Sequence, residues 1–260
     1  MKGFPNFGNT CYFNSALQCL LYVPQLTNYF LSSTPLITSD FSQEYQKLVY
    51  QMWREGDPDP RELLHLVTIR FPQFSQGQQD AQELFLCLLE MFDNQNYINA
   101  IFKGRLVQET KCPSGSSIKF EDFTSLVLYP SKEMTVIECL EESQKYQNIH
   151  GYTDNKGTTH SIGLSQTKFW MVPRVLVICF QGRKKITIDE EIDMRPFIHR
   201  DSPTNSIKKL MGLIYHHGSQ DFGHYIAFVK HGGTWYYKDD LNVREVSPPK
   251  EATYYMAFYN

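Results

Sequence analysis

Gly8-Asn9-Thr10-Cys11-Tyr12-Phe13-Asn14-Ser15-Ala16-Leu17 ends a short irregular lead with a cysteine and opens what reads as a helix, because Leu17, Leu20 and Leu21 follow at helical spacing. A thiol at a helix N-terminus faces the positive end of the helix dipole and a set of unpaired backbone N–H groups. Both favour the thiolate, which is the nucleophilic form. A cysteine in this place is most often a small buried hydrophobe, so the reading depends on what else the chain supplies.

The 260 residues are enough for a sizeable core, and 42% hydrophobic residues with 14% aromatics make the chain globular rather than disordered. A net charge of -3 gives no reason to expect nucleic-acid binding. Arg183-Lys184-Lys185 reads as a solvated turn between strands. Six cysteines (Cys11, Cys19, Cys87, Cys112, Cys139 and Cys179) form no CxxC pair, which points to reduced thiols in an intracellular compartment. No apolar run approaches the length of a membrane span, and the first residues lack the apolar stretch of a secretory signal.

The first hundred residues read as helical. Asp80 to Asp93 carries Leu84, Phe85, Leu88, Leu89 and Phe92 on one stripe, with Asp80 and Glu83 spaced as a capping box. Leu63 to Ile69 predicts a shorter helix ending near Phe71-Pro72. From about Phe102 the texture changes to strands. Phe120 to Leu128 has short-period apolar character, and Arg174 to Phe180 is a continuous β-rich run, as for a strand buried on both faces. Gln144 to Gln166 is polar and poorly patterned and reads as a loop or extension. The expectation is an α+β fold, helical first and mostly antiparallel β afterwards, with a cleft where the halves meet.

A nucleophilic cysteine needs a base and a group that orients the base. Of the eight histidines, His224 stands out: Gly223 precedes it, Tyr225 to Val229 reads as a strand, and Trp235 to Lys238 reads as the returning strand. If Gly232-Gly233 forms a two-residue hairpin loop, Lys230 pairs with Trp235. His224 and Asp239 then share a face as diagonal neighbours, while Asp240 points the other way. A three-residue loop would shift the register by one and favour Asp240 instead. Taken singly, His224 reads as a satisfied histidine, Asp239-Asp240 as a solvated strand end, and Trp235 to Tyr237 as core. Their co-occurrence with Cys11 changes the odds.

These residues carry a resemblance. Gly3 to Gln18 resembles the Cys box of the ubiquitin-specific proteases, and Gln78-Gln79-Asp80-Ala81-Gln82-Glu83-Leu84 resembles their second block. Pro173 to Ile178 is similar to a palm strand of that family, His216 to Phe228 with Trp235 to Asp240 resembles its His box, and Tyr255 to Tyr259 its closing strand. The matches run in family order along nearly the whole chain.

The resemblance implies a papain-like fold over 1–260 as a single catalytic domain, with a helical thumb in 1–101 and an antiparallel palm and fingers in 102–260. It implies hydrolysis after the C-terminal glycine of ubiquitin, with Cys11 as nucleophile, His224 as base and later acid, and Asp239 as orienter. Asn6 would donate to the oxyanion with help from Asp240, and Gln79, Asp80, Glu83 and Tyr225 would lie along the ubiquitin tail. For Asp80 and Glu83 the capping box is an equal alternative. The expected partners are ubiquitin or ubiquitinated proteins, the expected state is a monomer, and the expected place is the cytoplasm, the nucleus or both.

Two departures from the family stand out. Its fingers often hold a structural zinc with two CxxC pairs; here the first reads Cys112-Pro113-Ser114-Gly115, and Tyr152-Thr153-Asp154-Asn155-Lys156 holds no thiol. A mixed set of Cys112, Cys139, His150 and His160 fits no common zinc spacing, so no metal or other cofactor is expected and ordinary strand packing should hold the fingers. The chain also reads as a catalytic core with little else, either a small enzyme or one domain of a longer chain. The alternatives in function are a ubiquitin-binding scaffold with weak turnover, or a protease for a ubiquitin-like modifier.

Overall fold

The computed structural model describes residues 1–32, 35–154, 156–203, 206–218 and 222–260. Asn155 and residues 219–221, which fall inside two of the stretches quoted above, lie outside the described residues.

The helical part runs α1 (Cys11–Leu21), α2 (Pro24–Leu31), α3 (Asp40–Trp53), α4 (Arg61–Arg70), α5 (Ala81–Met91) and α6 (Gln95–Phe102). Local chemistry sets the starts. Pro24 occupies the first turn of α2, where its missing N–H costs nothing. Ser39, Asp80 and Asn94 accept backbone N–H groups at the heads of α3, α5 and α6. Every residue of α1 is buried, so this helix is apolar nearly all round and lies inside the molecule. Its polar exceptions are bonded inward: Asn14 donates to the Pro5 carbonyl, Ser15 to the Tyr12 carbonyl and Gln18 to the Lys2 carbonyl.

After α6 come β1 (Gly104–Cys112), β2 (Gly115–Phe123), β3 (Leu126–Leu128), β4 (Met134–Thr135) and α7 (Val136–Ser143). Then follow β5 (Gln147–Thr153), β6 (Thr159–Met171), β7 (Leu176–Phe180), β8 (Ile186–Thr187) and β9 (Glu191–Asp193). The chain ends with β10 (Ile207–Gly218), β11 (Gly223–His231), β12 (Thr234–Asp239), β13 (Asn242–Glu245), β14 (Glu251–Ala252) and β15 (Tyr254–Tyr259).

The central sheet has the order β13-β12-β11-β10-β15-β7-β3 and carries a core on each face. Alternation assigns the faces. Tyr225, Ala227 and Val229 of β11, with Val177 and Cys179 of β7, pack toward α1 and the other helices. Ile226 and Phe228, with Leu176, Ile178 and Phe180, pack toward α7 on the opposite side. Burial on both faces is why the β7 run is continuously apolar. A second sheet, β2-β1-β6-β5, projects as the fingers.

Two sequence expectations are corrected. Phe120 to Leu128 is not one strand: β2 ends at Phe123, and β3 leaves for the central sheet, where it pairs in parallel with β7. Gln144 to Gln166 is not a loop, because most of it forms the β5–β6 hairpin. This sheet is solvated over much of its surface, so its strands lack the apolar alternation that marks a half-buried strand.

Phe258 of β15 is fully buried against the edge of the Phe85 ring, at 5.6 Å between centroids, and joins α5 to the palm sheet. Phe258→Ala should lower unfolding stability by about 3–5 kcal/mol in denaturant titration, the usual cost of emptying an aromatic site in a core.

Candidate active site

Cys11 is the first residue of α1 and is 2% exposed. The N-cap residue Thr10 does not cap the helix with its side chain. Its hydroxyl turns back to the lead, accepting from the Phe7 N–H (3.0 Å) and donating to Asn6 Oδ1 (3.3 Å). The first-turn N–H groups beside the thiol are therefore left without a side-chain acceptor.

His224 is the second residue of β11, and Asp239 closes β12. The turn between these strands is Gly232-Gly233, with φ of 57° and 87°, the left-handed pair that a two-residue hairpin needs. Lys230 pairs with Trp235 and Ala227 with Lys238, the register counted from the sequence. His224 Nε2 lies 2.5 Å from Asp239 Oδ1, and the second Asp239 oxygen accepts the Tyr237 hydroxyl at 3.0 Å. With Nε2 committed to Asp239, Nδ1 is the ring atom left for Cys11. The His224 pKa is raised to about 9: Cys11 contributes most, burial works against it, and Asp239 adds to the rise.

Asn6 and Asp240 form the other half of the site. Asn6 Oδ1 accepts from the Gly8 N–H (2.9 Å) and the Thr10 N–H (3.2 Å), while its Nδ2 donates to Asp240 Oδ2 at 2.8 Å. The second Nδ2 hydrogen is not used by these bonds. Asp240 Oδ1 accepts from Asn14 Nδ2 at 2.7 Å, and its backbone carbonyl accepts from the Phe4 N–H at 3.0 Å. Asp240 takes a left-handed φ of 52° in the turn to β13, a conformation that aspartate tolerates better than most residues.

The second sequence block adds a residue that the sequence reading did not assign a role. Gln78 grips the backbone of Gly223 from both sides: its Nε2 donates to the carbonyl at 2.5 Å, and its Oε1 accepts from the N–H at 2.8 Å. This ties the approach to α5 directly to the residue before His224. Asp80 Oδ1 caps α5 through the N–H groups of Gln82 and Glu83, at 2.7 and 3.0 Å, and Oδ2 accepts the Tyr255 hydroxyl. The reciprocal half of the capping box is missing, since the Glu83 carboxylate accepts from Gln73 instead. Gln79 bonds the Gln76 carbonyl. Tyr225 stacks on His216 with ring centroids 4.2 Å apart. Asp80, Arg183, His216, Tyr225 and Tyr255 line an open cleft of about 380 Å³.

A family model described as ubiquitin carboxyl-terminal hydrolase matches residues 2–259. The chain belongs to that family. Among its relatives, mouse ubiquitin carboxyl-terminal hydrolase 17-like protein A is 26% identical over 296 residues, covering 99% of this chain and 56% of the relative. Arabidopsis thaliana ubiquitin carboxyl-terminal hydrolase 23 is 26% identical over 312 residues, covering 99% of this chain and 35% of the relative. The chain thus spans about half the length of the first relative and a third of the second. The fold matches the SAGA DUB module Ubp8/Sgf11/Sus1/Sgf73 bound to monoubiquitin, with a TM-score of 0.89 at 23% identity over 100% of this chain and 68% of the matched one. The same module bound to ubiquitin aldehyde matches with a TM-score of 0.86 at 22% identity, over 100% of this chain and 69% of that one. The thumb, palm and fingers are therefore those of the papain-like fold of this family. No helix among the described residues is long and apolar enough to cross a membrane.

The family's fingertip zinc does not fit the donors here. Cys139 lies on the buried face of α7, in the core and apart from the fingertip. The group that gathers is Cys112, Asp154 and His160, with ligand atoms within 4.8 Å of one another. Their shared centre is filled by the Ser114 hydroxyl, which lies 3.1 Å from Cys112 Sγ, 2.5 Å from Asp154 Oδ2 and 3.0 Å from His160 Nε2. Asp154 Oδ1 meanwhile accepts the N–H groups of Lys156 and Thr158, both at 2.9 Å. Ser114 first, then His160, hold the Asp154 carboxyl well below the usual carboxylate range. The β1–β2 and β5–β6 turns are thus joined by hydrogen bonds, a link beyond the strand packing expected from sequence.

Two outcomes follow from this geometry. In an NMR titration the His224 ring should have its midpoint near pH 9, and Cys11→Ala should lower it more than Asp239→Asn; an unchanged midpoint in Cys11→Ala would contradict the assignment of Nδ1. Elemental analysis should find no stoichiometric zinc, chelators should leave Tm unchanged, and Asp154→Ala should speed amide exchange at both fingertip turns. One tightly held metal per chain would refute the hydrogen-bonded tip.

Proposed function

We propose that the chain is a deubiquitinating thiol protease, acting as a single unit over residues 1–260 on the isopeptide or peptide bond after the C-terminal glycine of ubiquitin. The observation that carries this reading is the meeting of three separate segments at the head of α1: the Cys11 thiol, the His224 ring held by Asp239, and the Asn6 amide held by Asp240. Family membership supports the substrate class. The matched Ubp8 modules are bound to monoubiquitin in one structure and to ubiquitin aldehyde in the other.

Cys11 Sγ attacks the glycine carbonyl carbon, and the new oxyanion takes hydrogen bonds from the free Asn6 Nδ2 hydrogen and the Cys11 N–H. His224, protonated, gives its proton to the departing amine as the C–N bond breaks, leaving a thioester on Cys11. Water then attacks the thioester and gives one proton to His224. The C–S bond breaks to restore the Cys11 thiolate beside the protonated ring, and the ubiquitin acid leaves as a carboxylate with its proton passing to solvent. Deep burial of Cys11 suits an acyl group without side chains, as a glycine end provides.

The cleft lined by Asp80 and Tyr225 is the path proposed for the ubiquitin tail, and Gln79 and Glu83 are proposed to meet the same tail. Asp80 has one oxygen on the helix and one on Tyr255, so it would meet a basic tail residue as a fixed carboxylate. All six cysteines are free thiols, which supports an intracellular location, cytoplasmic or nuclear, and we read the enzyme as a monomer.

Ubiquitin with a fluorogenic C-terminal amide should be hydrolysed, and Cys11→Ala and His224→Ala should reduce the rate to background. Asn6→Ala should lower kcat on the order of a hundred-fold. Folded wild-type protein that releases no fluorophore at micromolar concentration would overturn the proposal.

A further inference from the structure

Lys238 is buried to 2% exposure inside the palm. Among the described residues no carboxylate pairs with it. Its Nζ lies 5.3 Å from the centre of the Tyr22 ring and donates to the Lys2 carbonyl at 2.7 Å. Burial alone pushes its pKa down to about 8. An unpaired ammonium is a costly occupant of such a position, and a methionine of similar length would avoid the cost. The one directional bond it makes is therefore the place to look for its use.

That bond fixes the start of the lead that carries Asn6. The lead is pinned at successive residues. The Lys2 carbonyl is held by Lys238 and by Gln18 Nε2 (3.3 Å). Gly3 lies so close to the β12–β13 turn that an added Cβ would come within 2.2 Å of the Asp240 carbonyl. The Phe4 N–H donates to that carbonyl, and the Pro5 carbonyl accepts from Asn14 at 3.1 Å. Asn6 then reaches the Asp240 carboxylate. Lys238 lies on the face of β12 shared with Tyr236 and Ala227, which meets the helices, and Asp240 follows in the turn after the strand. Three consecutive residues thus divide the work: Asp239 holds the base, while Lys238 and Asp240 hold the two ends of the segment bearing the oxyanion donor.

We propose that Lys238 is a positioning residue for catalysis, acting through the Lys2 carbonyl to set the place of Asn6. The inference rests on the oxyanion role given to Asn6 above. Lys208 is a natural control: it is also buried, and its Nζ donates to a carbonyl, that of Arg174 at 2.7 Å, but it has no contact with the lead.

The test is a double-mutant cycle between Lys238→Met and Asn6→Ala, read as kcat and KM on the fluorogenic ubiquitin substrate. Alkylation of Cys11 by a haloacetamide, which builds no oxyanion, is read in parallel. Lys238→Met should lower kcat about tenfold with KM changed less than twofold, leave the alkylation rate within twofold, and have little further effect in the Asn6→Ala background. Lys208→Met should leave kcat, KM and the alkylation rate within twofold of wild type. If Lys238→Met does not fold, Lys238→Gln, which keeps an N–H donor on a shorter chain, takes its place in the cycle. Additive losses, or equal losses in hydrolysis and alkylation, would overturn the positioning role alone. An Asn6→Ala enzyme with undiminished kcat would remove the oxyanion reading itself, and this inference with it.

Discussion

Asp239 closes β12, and Asp240 follows it in the turn to β13 at a φ of 52°, so the two side chains leave the chain in different directions. One reaches His224; the other reaches Asn6 and Asn14. The two halves of the site are therefore set by a single register. A slip of one residue between β11 and β12 would exchange the two carboxylates and disconnect both halves at once. Gly232-Gly233, with both residues in the left-handed region, opposes the slip by allowing a two-residue turn, and the strands stay paired in that register from His231–Thr234 to Ala227–Lys238.

The site is assembled from locally unfavourable choices. The hydroxyl that would cap α1 bonds the lead instead, forgoing a cap that typically contributes about 1 kcal/mol. Asp240 sits at positive φ, and Asn14 and Gln18 bring amides into a buried helix. What offsets these costs is the burial of Phe4, Tyr12, Phe13, Leu17 and Leu20 around the same segment, at about 1.5–3 kcal/mol for each large side chain removed from water. The apolar residues of α1 thus hold the polar ones in place, and Cys11, the proposed nucleophile, is fixed by a wholly buried helix rather than by a loop.

Local rules made part of this legible. The hairpin around Gly232-Gly233 could be counted residue by residue because its turn length fixes its register, and the α5 stripe could be read because one of its faces is apolar. The fingers could not be read in that way: β5 and β6 face solvent over much of their length, so no hydrophobic period marks them. Gln78 carries no local signal either, since its partner is the backbone of a residue far along the chain. Tyr237 lies two residues from Asp239 on the same face, within reach of the alternation that selects Asp239, yet an aromatic run of this kind reads as core. Asp80 and Glu83 have capping-box spacing, yet only Asp80 caps, because spacing cannot tell which other donor will claim the second carboxylate.

The raised pKa of His224 bears on both chemical steps of the proposed mechanism. At neutral pH a group with a pKa of about 9 is protonated, which suits the acid step in which the amine leaves. The same state would be wrong for the second step, where His224 has to take a proton from water. The largest contribution to the rise comes from Cys11, however, and acylation converts that sulfur into a neutral thioester. With that contribution gone, the burial that works against the charged ring has only Asp239 to oppose it, and the pKa falls toward the range of a useful base. In the proposed mechanism the acid and the base are then one residue whose protonation is switched by the covalent state of its neighbour. Asp239 is needed in both states, to keep Nδ1 turned toward the sulfur and the incoming water.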